Sequence, residues 1–410
     1  MRTPAKILLA GTLVATAPFA AATSHAQSPV LNEQIQLGDL FSSQILNVEE
    51  VTDQTVGVAT STANSFDARV DGGDLDVISY QESGGAVGSQ VTANVAVSSG
   101  ASTSLSSNAS GNLGDAAVYA GALTAVTTQV SRGGTIAAVG QYEGENAEAG
   151  DIASSVQALG NSQGFSVSAA VSGVRASQYN SADISADGGG VVGYVDNTAM
   201  FSAAAAANNI TSAAGYGSSE RMILDQNNES GLVQAAQFTA FGNAYVTQTS
   251  ATASGNNISA GNEGALLDMT ALQQNQAYVR AQAESSGYQF GSGTASAYGV
   301  GNSLLAGQLG EEVVLDVEQL NIAGGVEAIA AYTGHEGYDA HASAMAMGNA
   351  ATGYACSECD GRMSVNNRQT NDADVAATGT VTVTGSARSA IGAANAVGNT
   401  ASYYVTRPQE

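Results

Sequence analysis

Histidines, cysteines and clustered carboxylates are the side chains that most often do chemistry, and this chain spaces few of them usefully. Its histidines are His25, His335 and His341. The last two have no nucleophile at the spacing of a base–nucleophile pair. The only cysteines lie in Cys356-Ser-Glu-Cys359. In an exported protein that pair reads as a local disulfide pinning a loop. A redox-active pair would want an oxidoreductase fold around it, and a zinc site drawing on His335 and His341 lacks recognised ligand spacing. Asp71, Asp74 and Asp76 could ligate calcium, yet no nonapeptide calcium repeat accompanies them, so they read as a solvated acidic turn. Glu143, Glu145 and Glu148 read the same way. Asp71-Gly-Gly-Asp74 and Asp187-Gly-Gly-Gly190 lack the lysine and following helix of a phosphate cradle. Nothing singles out a carboxylate pair for glycoside cleavage. The expectation is a non-catalytic protein with no cofactor and no metal.

The composition asks for an unusual scaffold. Glycine is 49 of 410 residues and charged residues are 11 %, with no tryptophan and only 8 phenylalanines. A soluble domain carries roughly 25 % charge. The 44 % apolar fraction is dominated by alanine and valine. Side chains this small fill a thin, repetitive interior rather than a wide globule.

The amino terminus has the three parts of a secretory signal. Arg2 and Lys6 are basic, Ile7 to Ala15 supply an apolar stretch, and Ser24-His25-Ala26 is a cleavage site. Residues 1–26 are therefore expected to leave and 27–410 to form the mature chain, starting at Gln27. That chain keeps 9 basic residues, all arginine, against 36 acidic ones, a net charge of −27 (9 − 36). Such a surface repels nucleic acid and anionic lipid, which are bound mainly through Lys/Arg contacts to phosphate. It suits a cationic partner or divalent ions.

Self-comparison reveals a period near 48 residues. A small-Gly-Asn motif ends at Asn161, Asn256, Asn302, Asn349 and Asn399, with degenerate copies at Asn64, Asn108 and Asn208. The steps are 44, 53, 47, 48, 46, 47 and 50 residues. A Gln-x-Asn/Ser motif keeps the same beat at Gln81, Gln129, Gln178, Gln226, Gln273, Gln319 and Gln369, with a weak first copy at Gln34. From Gln178 onward each glutamine precedes its Gly-Asn asparagine by 29 or 30 residues. Two markers in register define eight repeats, starting near residues 34, 81, 129, 178, 226, 273, 319 and 369.

Inside each unit the local period is two, as in Gln369-x-Asn371-x-Ala373-x-Val375-x-Ala377, which indicates strands. Helix is disfavoured because the intervening positions are Ser, Thr, Gly and Asn rather than Leu, Glu and Lys. The fold expected is all-β, an elongated parallel β-solenoid. In stacked strands identical amides fall ~4.8 Å apart and bond in a ladder inside a narrow core. The glutamines and the asparagines Asn161, Asn208, Asn256, Asn302, Asn349 and Asn399 are assigned to ladders and turns, with Gly-Asn as the turn. A period of 48 suggests two coils per repeat, giving roughly 16 rungs and a rod about 75 Å long. Tyr179, Tyr298 and Tyr354 are expected to pack on the flanks.

The Gln-x-Asn-x-Ala alternation resembles the shorter repeats of curli-type surface fibre subunits. With the export signal, full-length degenerate repeats and strong acidity, the chain resembles a holdfast-anchor protein. The family meant is the repeat-bearing D component of the complex that fixes an adhesive polysaccharide to the outer membrane of stalked bacteria. The resemblance implies a non-catalytic role at the cell surface, with other holdfast-anchor components, a secretion pore and the adhesive polysaccharide as partners. Self-association into a curli-like fibre, or a general adhesin role, is the competing reading, and a polysaccharide-cleaving enzyme on a β-helix is a third.

Overall fold

The computed structural model describes residues 27–356 and 361–406. The expected signal peptide and Cys359 lie outside the described residues. Within them the chain winds through eight coils. The first three coils have three strands each. They are β1 (Gln27–Gln36), β2 (Leu40–Glu50) and β3 (Gln54–Asp71), then β4 (Asp74–Ser83), β5 (Val87–Ser98) and β6 (Ser102–Tyr119), then β7 (Ala122–Ser131), β8 (Thr135–Ala149) and β9 (Asp151–Ser168). In the next four coils the second and third strands run on as one. These coils are β10 (Val171–Asn180) with β11 (Asp183–Ala214), β12 (Ser219–Asn228) with β13 (Leu232–Asn262), β14 (Leu266–Asn275) with β15 (Tyr278–Gln308), and β16 (Glu312–Asn321) with β17 (Val326–Cys356). The eighth is β18 (Arg362–Asn371), β19 (Val375–Val383) and β20 (Ser389–Thr406).

All pairing is parallel and between successive coils. The first strand of each coil joins an eight-stranded sheet, β1-β4-β7-β10-β12-β14-β16-β18, and the rest form a second, twelve-stranded sheet. Partners lie between 46 residues apart, as Leu266 with Glu312, and 50, as Glu312 with Arg362. No described strand pairs at half that distance. This overturns the expectation of two coils per repeat: one repeat is one wide coil. The rod therefore has eight rungs and a length of about 38 Å, half the expected value. The sequence period could not separate these cases, because a two-coil unit and a wide single coil repeat identically.

Each coil is flattened. The long third segment forms one wall, and the first and second segments lie end to end as the other. Leu75, Val77 and Leu123 of the first segment pack on Val118, Val167 and Ile210 at the end of the long wall. Val87, Ile136 and Ile184 pack on its middle alanines, Ala109, Ala158 and Ala205. Val91, Ala93 and Tyr142 meet Leu105, Ile152 and Phe201 at its start. Alternation of buried and exposed residues, unbroken in β12 and shifted by one at Gly160-Asn161 in β9, places about every second side chain in this seam. Alanine is frequent there because a small side chain lets the walls close to contact distance.

The Gly-Asn motif is not a turn. It lies inside strands, as Gly111-Asn112 in β6 and Gly160-Asn161 in β9. The glycines with positive φ are others, Gly72, Gly100, Gly133, Gly217 and Gly325. The motif glycine is selected by close approach. A Cβ on Gly160 would come within 2.4 Å of the Ala207 carbonyl oxygen in the next coil, and on Gly255 within 2.5 Å of that of Gly301. Alanine takes this place only in the first and fourth coils, at Ala63 and Ala207. A second correction concerns Asn108. The equivalent of Asn64 is Asn112, with which it pairs, whereas Asn108 pairs with Thr60 and Gln157. The uneven steps of 44 and 53 thereby become 48 and 49 (112 − 64 and 161 − 112).

Candidate functional site

The recurrent amides are brought into columns in the seam. Gln34, Gln81, Gln129, Gln178, Gln226, Gln273, Gln319 and Gln369 form one file, in which from Gln81 onward each Nε2 donates to the Oε1 of the preceding coil at 2.7–2.9 Å. The second N–H of each crosses the seam to a backbone carbonyl, as Gln226 to Asn257 at 2.9 Å. Asn64, Asn112, Asn161, Asn208, Asn256, Asn302, Asn349 and Asn399 form a second file at 2.7–2.8 Å. Here each Nδ2 donates to the following coil, so the two files run in opposite senses. Their spare N–H groups also cross the seam, as Asn256 to the carbonyl of Gln274 at 2.8 Å. A shorter third file, Asn180, Asn228, Asn275, Asn321 and Asn371, donates in the same sense as the second.

From Gln81 to Gln319, and from Asn112 to Asn349, the members of the two long files are buried. In these buried stretches each amide is satisfied twice, by its column and by the opposite wall, which is how polar groups persist in a dry seam. Buried this way, they position the outer surface and offer nothing to a ligand.

Other candidate groups are scattered. His335 stacks on Tyr288 with ring centroids 4.8 Å apart, and its Nδ1 lies 3.0 Å from Thr384 Oγ1. Asp74 caps the next coil by accepting from the Ala122 amide at 3.0 Å. Among the described residues no three His, Cys, Asp or Glu side chains converge as a metal site. No described helix is long and apolar enough to cross a membrane. Glu220 is a fully buried carboxylate standing in a column of Leu75, Leu123, Ser172 and Leu267, with the Ser172 hydroxyl 3.5 Å from its Oε1. Ser212 donates to its Oε1 at 2.7 Å, Oε2 has no partner, and burial raises its pKa.

On the outside, tyrosines gather where the second segment bends into the long wall. Tyr194, Tyr245, Tyr288 and Tyr338 sit at this corner in four successive coils, and all four are exposed. Three of them, Tyr194, Tyr245 and Tyr338, line an open cleft of about 670 Å³ together with Asp196, Asn243, Gln289 and Glu336. Its floor is glycine. A Cβ on Gly291 would come within 2.4 Å of the Tyr245 carbonyl and 3.1 Å of its ring, so the ring lies over the next coil. Arg388 reaches over Tyr338, 5.8 Å from the ring centroid, and pairs with Asp339.

The sequence does not reveal this cluster. Its members are 51, 43 and 50 residues apart, because Asp196 and Asn197 bulge opposite Tyr245 and the tyrosine slips between neighbouring columns. Of the tyrosines it did single out, Tyr179 donates to Glu229 at 2.8 Å beneath Arg132, and Tyr354 stacks on Tyr404.

The exterior is acidic and little of that charge is neutralised. Among the described residues six arginines, Arg69, Arg132, Arg221, Arg280, Arg368 and Arg388, pair with carboxylates, against 36 acidic residues in the sequence.

These features define a parallel β-solenoid with amide files inside and repeated, shallow outer surfaces. The chain belongs to the holdfast attachment protein D family, whose model matches residues 49–325. No curated protein and no solved structure matches it.

Proposed function

We propose that the protein is an exported, non-catalytic component of the cell surface that anchors an adhesive polysaccharide to the outer membrane. Membership of the holdfast attachment protein D family carries this reading. The architecture supports it. Eight similar rungs offer repeated weak contacts, and avidity turns these into firm attachment without a deep site. The acidic exterior favours an amine-bearing or cation-bridged polymer and keeps a strand-rich rod dispersed. Other holdfast-anchor components and a secretion pore are its expected partners. Deleting the gene tests the reading: the adhesive should still be made but be shed from cells, and tagged protein should fractionate with the outer membrane. Adhesive that stays attached to deleted cells would refute it.

One observation favours self-assembly as a second reading. Inward side chains of the first and last coils, such as those of β2 and β18, are only half-buried, and their outer edges are unpaired among the described residues. Open edges of this kind template further strands. Purified protein should then form filaments that bind amyloid dyes.

A further inference from the structure

We infer that the tyrosine-lined corner is the saccharide-binding surface, taking one extended chain of positively charged amino sugars laid along the rod axis. This rests on the proposed role as a polysaccharide anchor and supplies the contact that role lacks.

Three observations converge. Tyr194, Tyr245 and Tyr338 are exposed around one cleft, and Tyr245 is held over the glycine floor of the next coil. Aromatic rings offer flat apolar platforms to the C–H faces of pyranose rings, and their electron-rich faces attract ammonium groups. The rungs repeat every ~4.8 Å, close to the length of one pyranose residue, so successive sugars can meet successive coils.

Polar groups between the rings match the same ligand. Asn243 and Gln289 can bond hydroxyls, while the charged groups lining the cleft, Asp196 and Glu336, are both acidic. Arg388 beside Tyr338 is already paired with Asp339. A basic peptide fits less well. Extended peptides bind by adding a strand to a free sheet edge, and the strands flanking this corner are paired coil to coil. The cleft is open and elongated, unlike a site that encloses a small ligand.

The test uses the full exported chain in calorimetric titrations with a β-1,4-linked glucosamine hexamer, cellohexaose and hexalysine. The glucosamine hexamer should bind best. A Tyr245→Ala/Tyr338→Ala variant should lose about tenfold or more in affinity with its strand spectrum and melting unchanged. Tyr245→Phe/Tyr338→Phe should bind within a few-fold of the parent. Tyr216→Ala, which removes an 85 % exposed tyrosine elsewhere, should bind normally. Asp196→Asn/Glu336→Gln should erase the preference over cellohexaose. Hexalysine binding as tightly as the sugar, failure of the hexamer to bind, or an alanine variant that binds like the parent would each overturn the inference. A cell assay separates it from the reading beneath. If deletion sheds the adhesive but the double alanine variant restores attachment fully, the corner assignment fails and the anchor role stands. If deletion sheds nothing, the anchor role itself fails.

Discussion

Gln226 donates from Nε2 to Gln178 Oε1 at 2.8 Å across forty-eight residues of chain, and it accepts in turn from Gln273. Its other N–H serves the Asn257 carbonyl. Replacing it with leucine keeps the volume but orphans an acceptor above, a donor below and a carbonyl opposite. Each orphan costs about 1–3 kcal/mol, so Gln226→Leu should destabilise by about 3 kcal/mol or more. Gln369→Leu, in the half-exposed last coil, should cost about 1 kcal/mol or less. Equilibrium urea unfolding of both variants checks the difference.

Two strand glycines should behave in opposite ways. A Cβ on Gly190 would come within 2.4 Å of the Phe201 ring, which is buried edge-on against Phe241. Gly190→Ala should therefore cost about 1–3 kcal/mol through overpacking. At Gly173 nothing lies within 4 Å of the added atom. Gly173→Ala should be neutral or stabilise by about 0.5–1 kcal/mol, because glycine loses more chain entropy in a strand. Thermal melts of the pair decide it.

Glu220 should make stability fall with rising pH. Burial raises its folded pKa above the ordinary 4.5, so the folded chain holds this proton more firmly than the unfolded chain. Its contribution is fully present below the ordinary value, is lost as pH climbs towards the raised one, and then levels off. Glu220→Gln should be more stable than the parent at pH 7, with the gap closing near pH 4. Denaturation curves for both proteins at the two pH values measure this, and an equal gap at both would contradict it.

The one-coil repeat makes a deletion test decisive. Removing residues 226–272 joins Asp225 to Gln273 in the register that Asp225 and Leu272 already share. That 47-residue excision should leave a shorter solenoid with the same strand spectrum and a cooperative melt, since coils contact only their neighbours. Removing only residues 226–249 leaves the facing strands of the coils on either side without partners along most of one wall, so the solenoid should be strongly destabilised there and lose its single cooperative melt.

Much of the scaffold was legible in the sequence because it rests on identity between coils. Gln81 through Gln369 must match in type and spacing to bond at all, so their period is visible. Gly-Asn was visible too, but its reason was not: glycine tolerates positive φ and also permits close approach, and only coordinates distinguish the two at Gly160. Asn108 misled for a simpler reason, since Asn112 four residues later carries the true motif. The corner tyrosines were obscured by a bulge and by their own freedom. Outer side chains need not bond to their equivalents, so nothing forces Tyr194, Tyr245, Tyr288 and Tyr338 to keep a strict step.

The opposed senses of the side-chain files bear on the electrostatics of the rod. A single file of aligned amides would add its dipoles end to end, as an α-helix does, and place partial charge at the two tips. Here the Gln226 file points one way and the Asn256 and Asn228 files the other, so their fields oppose along the axis. The two long files, of seven bonds each, offset one another and the four bonds of the shorter file remain, so an ion nearing either tip meets only a fraction of the field that files of one sense would add up to.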